Sequence, residues 1–192
     1  SKTVKRVENR PTDNTVVPDR ITDTNVGAVF DVSITADSTT AEITRLTNAG
    51  RNAVRDGIIN ESVLSNFTLQ ASTSDARPNR SDTSVDSVID STSAGVSLSG
   101  TTVTYSGSLT GGSIQTIGVI DADTGNLLAQ GRLADPVSDP SVDVDITVQN
   151  DDSTSKSVLT TTGQTLCAEI LSGGNPDFTQ SYAYGDGTAD PT

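Results

Sequence analysis

Two aspartates in the run Asp121-Ala122-Asp123-Thr124-Gly125 have the spacing that begins many calcium-binding loops. An EF-hand loop also needs a bidentate Glu at its twelfth position and a helix on each side. The twelfth position here is Arg132, and the flanking segments have strand character. The alternative, which we favour, is a hairpin turn in which Gly125 supplies a positive φ and the short side chains bond their own backbone. Asp121 and Asp123 are therefore candidate ligands for Ca²⁺ or another structural cation, and no other cofactor is expected.

A second pair of carboxylates, Asp143 and Asp145, lies on either side of Val144. Residues two apart on a strand point to the same face, so these two side chains are predicted to be neighbours. Paired carboxylates carry out glycoside hydrolysis, which makes a soluble carbohydrate-acting enzyme one alternative for the function. A solvated strand face has the same spacing without any catalytic role, and we favour that interpretation.

The rest of the sequence offers little for catalysis. It contains no histidine, which removes Ser-His-Asp and Cys-His arrangements, His-ligated metals and the commonest general base. Its one cysteine, Cys167, lies in an apolar stretch with Leu166, Ala168 and Ile170 and is expected to be a small buried side chain. We predict that the protein is not an enzyme and has no catalytic residues.

The charged residues carry more information. There are 25 acidic and 12 basic side chains, a net charge of −13. Binding to phosphates needs clustered Lys and Arg, so no nucleic-acid partner is expected. The acidic residues are 21 Asp and 4 Glu, and the basic residues are 9 Arg and 3 Lys. This double bias is typical of haloarchaeal proteins, whose small carboxylates stay hydrated in molar salt, where the screening length is about 3 Å. An Asp/Thr-rich adhesin secreted by an ordinary bacterium is the alternative.

Composition and pattern predict a mainly β fold. Only 32% of the residues are hydrophobic, and Ser and Thr make up 53 of the 192, which favours short strands around a thin core. Strand patterns recur from residue 26 to residue 148, separated by Gly, Asp and Ser, and indicate an antiparallel β-sandwich. One short helix is predicted near residues 47–58, with Thr47 as its N-cap. No apolar run reaches the roughly 18 residues of a membrane-spanning helix, so no membrane span is expected.

Residues 1–25 are predicted to form an extended docking arm. They contain prolines and turn residues without a periodic pattern. They also hold five of the twelve basic residues: Lys2, Lys5, Arg6, Arg10 and Arg20. A basic arm on an acidic body suits docking onto a neighbouring acidic subunit. A frayed terminus is the alternative.

An internal repeat divides the remainder of the chain. The helix start Leu46-Thr47-Asn48-Ala49-Gly50 is repeated as Leu159-Thr160-Thr161-Thr162-Gly163. We therefore expect a β-sandwich domain over residues 26–149 and the beginning of a second, similar module, a helix plus a strand, over residues 150–192. Either the natural chain continues beyond Thr192, or this second segment packs on the first domain or on a partner.

The run from residue 46 to residue 148 resembles a module found in tail and fibre proteins of tailed viruses. The resemblance lies in the Leu-Thr-x-Ala-Gly helix start, the Thr-Val-Thr-Tyr strand at 102–105, the hairpin at 114–131 and a closing strand at 142–148. One departure is the loop Ser74-Asp75-Ala76-Arg77, where the family has a Gly-Asp-Gly-type loop like that at 185–187. These motifs are structural, so the resemblance implies an architecture and a virion setting but no active-site residues.

Together, the resemblance and the Asp/Arg bias indicate a structural virion protein of a tailed virus that infects haloarchaea. We expect a tail fibre or tail-tip component that is anchored by its N-terminus and takes part in host attachment. A capsid decoration or turret protein is the alternative. The expected partners are other virion proteins, copies of itself in a trimer or other homo-oligomer, and a host cell-surface glycan or S-layer protein. No secretory leader is predicted at residues 1–6, so assembly in the host cytoplasm is expected.

The composition predicts that folding requires salt. The 21 Asp side chains repel one another over a longer range as the screening length grows to about 30 Å at about 0.01 M salt. Hydrophobic burial also weakens without salting-out ions. We expect the β-type circular-dichroism signal to be lost on dialysis into dilute buffer. A melting temperature that stays constant from about 2 M to about 0.05 M salt would contradict the halophilic interpretation.

Overall fold

The computed structural model of the chain describes residues 19–20, 28–150 and 160–178. Within them the chain forms ten strands and two helices. The strands are β1 (Asp19–Arg20), β2 (Ala28–Ala36), β3 (Thr39–Leu46), β4 (Phe67–Ser72), β5 (Val88–Ser93), β6 (Gly95–Ser99), β7 (Thr102–Ser108), β8 (Ile114–Asp121), β9 (Asn126–Val137) and β10 (Ser141–Asn150). The helices are α1 (Asn48–Asn60) and α2 (Thr161–Ser172). The predicted mainly β, antiparallel class is confirmed.

The strands form one continuous antiparallel sheet in the order β5-β4-β8-β9-β3-β2-β10-β7-β6, with β1 paired to β2 beside this path. The sheet curls until it is nearly closed and barrel-like, whereas the sequence predicted two separate sheets. The difference arises at the β2–β3 hairpin, where only Thr35–Thr40 and Ala36–Thr39 are paired. A register shift between Ala41 and Ile43 then turns β3 toward β9, so one strand belongs to both halves of the sheet.

The core lies between the two facing halves of this sheet. The ring of Phe67 on β4 and that of Tyr105 on β7 meet there, with centroids 5.0 Å apart and planes inclined by 59°. On β10 the predicted alternation is present: Val142, Val144, Ile146 and Val148 are buried, and Asp143 is exposed. Both halves of the sheet therefore contribute side chains to one core.

Strand β8 is buried on both faces. It lies between β4 and β9, and only Gln115 among its residues is not buried. One face packs into the main core through Ile117 and Val119. The other face carries Ile120, which packs with Leu127 and with Val85 from the long connection between β4 and β5. That connection therefore covers the outer face of the sheet.

Helix α1 begins with the predicted N-cap, and the cap also joins the helix to the sheet. The Thr47 hydroxyl accepts a hydrogen bond from the Gly50 amide at 3.1 Å. It also donates to the carbonyls of Leu127 and Leu128 on β9, the latter at 3.1 Å, and the Thr47 amide donates to the same Leu128 carbonyl at 2.9 Å. A side chain at Gly50 would collide with that carbonyl, so glycine permits the close approach.

Helix α2 starts in the same way. Thr160 accepts from the Gly163 amide at 3.2 Å, so both copies of the repeated motif form the same cap. The helix packs against α1, β6, β7 and β10. Its Cys167, Ala168 and Leu171 side chains lie in the main core, and the Tyr105 hydroxyl donates to the Leu171 carbonyl at 2.6 Å. The proposed second module stays a prediction, because residues 151–159 and 179–192, including its strand, lie outside the described residues.

The predicted N-terminal arm lies mostly outside the described residues, which include only residues 19–20 of it. These two residues form β1 and pair with β2, Asp19 opposite Phe30 and Arg20 opposite Val29. Among the described residues, no helix has the length and apolar character needed to cross a membrane.

The double role of Thr47 generates a prediction for stability. Thr47→Val removes the hydroxyl that caps the helix and bonds β9, so the free energy of unfolding should fall by about 2–4 kcal/mol. Thr47→Ser keeps the hydroxyl and should cost less than about 1 kcal/mol. Chemical denaturation in molar salt measures both changes.

Thr160→Val provides the matched control. Thr160 is exposed and its hydroxyl caps its own helix only, so its replacement should cost about 1 kcal/mol or less. Equal losses at Thr47 and Thr160 would show that the contact with β9 contributes nothing beyond an ordinary cap.

Candidate functional site

The candidate metal ligands Asp121 and Asp123 lie in the turn between β8 and β9, and their hydrogen bonds hold that turn. Asp121 is buried; its carboxylate accepts from the Asp123 amide at 3.1 Å and from the Thr124 hydroxyl. Asp123 accepts from the Ser65 hydroxyl at 2.6 Å and from the Asn66 side-chain amide at 2.7 Å. One aspartate therefore shapes the turn and the other attaches it to the segment before β4.

These contacts agree with the hairpin-turn interpretation of the Asp-x-Asp-x-Gly run. Gly125 has a φ of 76°, as that interpretation requires. Hydrogen bonds from Ser65 and Asn66 lower the pKa of Asp123 from its ordinary value of 3.8. In the described parts of the chain, no three His, Cys, Asp or Glu side chains are grouped closely enough to hold a metal ion.

The second carboxylate pair lies on the outer face of β10. Asp145 accepts from the Thr104 hydroxyl on β7 at 2.6 Å, and Asp143 is exposed. The residues paired with these two across β2 are Ser33 and Thr35. The arrangement is a hydroxyl- and carboxylate-covered strand face, which matches the solvated interpretation of the pair.

Cys167 lies in the core, as predicted. It is 4% exposed, and burial raises the pKa of its thiol to about 11. A thiol with that pKa is almost fully protonated at neutral pH, so it is a poor nucleophile.

A polar cleft of about 320 Å³ lies beneath the connection between β4 and β5. The loop Ser74-Asp75-Ala76-Arg77, which departs from the family loop, contributes to this cleft. The lining residues come from this connection and from the outer face of β8 and β9: Ser74, Ala76, Arg77, Pro78, Ser81, Asp82, Thr83, Ser84, Asp86, Thr116 and Gln130. Nine of these eleven side chains carry a polar group.

Two buried polar side chains of the sheet hold the connection that covers the cleft. Thr116 on β8 is 5% exposed and donates to the Ser74 carbonyl at 2.7 Å. Gln130 on β9 is 4% exposed and donates to the Asp82 carboxylate, which also accepts from the Asn79 amide at 2.7 Å. These bonds fix the overlying chain at two points, so the cleft has a defined shape.

Further bonds hold the ends and one side of the same connection. The Ser72 hydroxyl at the end of β4 donates to the Asp86 carbonyl just before β5. The Arg132 guanidinium donates to the Asp75 carbonyl at 3.1 Å and pairs with Glu42. On the other side, the Arg80 carbonyl accepts from the Asn48 amide at the start of α1 at 2.8 Å. The connection is thus tied to the sheet and to the helix.

The charged side chains that line the cleft differ in whether they have hydrogen-bond partners. The Asp82 carboxylate accepts from both Gln130 and Asn79 through one oxygen, Oδ2. The exposed side chains of Arg77 and Asp86 make no hydrogen bond or ion pair with the described residues. Sequence reasoning missed this site because its residues are spread between positions 74 and 130 and meet only when the connection folds over the sheet.

The two outer edges of the sheet, β5 and β6, form another exposed surface. Val88, Ile89 and Leu98 are exposed large hydrophobic side chains on these strands. Strand β6 has no charged residue, and the one on β5, Asp90, accepts from the Thr110 amide at 2.6 Å. Natural sheet edges are usually protected by charges or proline against pairing with another chain. Strand β6 has no such protection, and the single charge on β5 is bonded to Thr110.

In comparisons with known proteins, no protein family, no curated protein and no solved structure matches this chain.

The contacts of Asp123 generate a prediction that separates a turn from a metal site. Asp123→Ala removes the acceptor for Ser65 and Asn66, so the melting temperature at neutral pH should fall, and by the same amount with Ca²⁺ or with a chelator. Because folding lowers the pKa of Asp123, its contribution is complete above the ordinary pKa of 3.8 and disappears as pH falls through the lower folded-state value. The difference in melting temperature between wild type and variant should therefore shrink in acid.

Asp143→Ala is the control for this experiment, since Asp143 is exposed and its side chain has no hydrogen bond among the described residues. It should leave the melting temperature nearly unchanged at every pH. A rise in melting temperature with Ca²⁺ that Asp123→Ala abolishes would establish the metal site instead.

Proposed function

We propose that this chain is a structural virion protein of a tailed virus that infects haloarchaea, with a tail fibre or tail-tip position and a part in host attachment. The proposal assigns no catalytic role to any residue. The expected partners are other virion proteins, further copies of the chain and a glycan or S-layer protein of the host surface.

The observation that carries the proposal is the contact between the two most distinctive motifs of the tail-module resemblance. The Leu-Thr-x-Ala-Gly helix start lies directly on the hairpin strand β9, through Thr47 and the carbonyls of Leu127 and Leu128. Thr47 and Leu127, which are 80 positions apart in the sequence, are thus joined directly. The helix start therefore has a structural role in this chain, which supports the architectural interpretation of the motif.

The distribution of charge supports the halophilic setting. The outer faces of β10, β2 and β7 present Asp143, Asp145 and Asp31 beside serine and threonine. Small carboxylates and hydroxyls bind water without the flexible apolar stem of lysine. A surface of this kind stays hydrated in molar salt.

Self-association is supported by the sheet edges. The exposed Val88, Ile89 and Leu98 lie on the edge strands β5 and β6 of a chain with net charge −13. Salt that screens the charge leaves such apolar edges free to pair. A trimer or other homo-oligomer would cover them.

The position of α2 favours the second candidate, a capsid decoration or turret protein. Fibres are built as strings of modules, and the repeated helix start suggested a second module. Helix α2 instead buries Cys167, Ala168 and Leu171 in the same core as the sheet. A single compact unit pinned by a basic arm would suit a protein that covers a capsid.

Deletion of residues 1–25 tests the proposed arm. The deletion should leave the β-type circular-dichroism spectrum unchanged, because β1 adds only two residues to the edge of β2. It should also prevent incorporation of the chain into particles, since the arm carries the basic residues proposed to dock. Normal incorporation of the shortened chain would contradict the docking role.

Imaging of assembled particles distinguishes the two candidates. A fibre or tail-tip protein is present in a few copies at the tail, whereas a decoration protein covers the head in hundreds of copies. Absence of the chain from purified particles would overturn both.

A further inference from the structure

We infer that the polar cleft beneath the β4–β5 connection binds a neutral sugar. The inference rests on the proposed host attachment and deepens it, because it names the site and the chemical class of ligand. The cleft volume of about 320 Å³ is at the lower end of the range for ligand sites, which suits one or two sugar rings.

The lining argues against other ligand classes. Two carboxylates, Asp82 and Asp86, and one guanidinium, Arg77, leave one negative charge, which disfavours a phosphate or a carboxylate. The described residues include no group of three possible metal ligands, which disfavours a divalent cation. Only Ala76 and Pro78 are apolar, which disfavours a lipid or an aromatic compound.

The polar side chains that line the cleft suit a ligand with several hydroxyl groups. A sugar hydroxyl both donates and accepts, so it needs acceptors and donors side by side. Asp86 supplies an unoccupied carboxylate as acceptor, and Arg77 supplies an unoccupied guanidinium as donor. The hydroxyls of Ser84 and Thr83, which lie on the same connection, can act as either. Bonds to charged partners are the stronger ones, so Asp86 and Arg77 should dominate affinity.

The cleft is preorganised: the residues that hold its shape do not have to move when a ligand binds. Thr116 and Gln130 hold the connection from the sheet, and Arg132 holds it from the side. A site fixed by such bonds loses little entropy when a ligand enters. For a ligand as small as a monosaccharide, a dissociation constant of about 1 mM is expected.

The test uses the full chain in molar salt and three probes: methyl α-D-mannoside, N-acetyl-D-glucosamine and D-glucuronate. Isothermal titration and backbone amide shifts in NMR measure binding and locate it. At least one neutral probe should bind, with shift changes at residues 74–86, 116 and 130. Asp86→Asn and Arg77→Ala should each weaken binding at least tenfold. Both side chains are exposed, so the variants should fold, which circular dichroism checks.

Asp143→Asn is the matched control, since it removes an exposed carboxylate on β10, a strand that contributes nothing to the cleft lining, and should leave binding unchanged. The inference is overturned if no neutral probe binds, if glucuronate binds more tightly than both, or if Asp86→Asn binds as well as wild type. These outcomes are independent of particle imaging: a chain found in particles that binds no sugar refutes the cleft alone. Sugar binding by a chain absent from particles refutes the virion role alone.

Discussion

The described structure depends on one hydroxyl group, that of Thr47. It accepts from Gly50 to begin helix α1 and donates to the Leu127 and Leu128 carbonyls on β9. The next amide, that of Asn48, donates to the Arg80 carbonyl in the β4–β5 connection. Helix α1, strand β9 and the β4–β5 connection are therefore joined through two consecutive residues, Thr47 and Asn48. A hydroxyl that both donates and accepts is needed here, and a buried position makes its loss costly.

The β4–β5 connection accounts for the burial of the central strand β8 on both faces. The inner face of β8 packs into the core, but its outer face has no second sheet to cover it. The β4–β5 connection does so instead, with Val85 packed on Ile120 and Leu127. Because the same connection is held at Ser74 and Asp82 by polar side chains of the sheet, it covers the strand without filling the space beside it. The cleft is that space.

The sequence predicts what is local and misses what depends on distant partners. The alternation of β10, the Thr47 cap and the burial of Cys167 are all present in the structure. Closure into one sheet was missed, because it depends on a register shift in β3 that alternation does not encode. The partners of Asp123 were also missed, since Ser65 and Asn66 lie 58 and 57 residues away and carry no motif. The cleft was missed for the same reason.

These features bear on the assembly and ligand contacts proposed above. In molar salt the screening length is about 3 Å. The acidic faces therefore exert only a weak electrostatic force on a partner of either charge. Specific binding then has to come from contacts that salt does not screen, which are apolar packing, strand pairing and short hydrogen bonds in a confined site. Exposed apolar side chains lie on the edge strands β5 and β6, and a confined polar site lies beneath the β4–β5 connection. Because β5 follows that connection directly, an assembly contact at the edge and a ligand contact in the cleft would be made by adjoining parts of one segment.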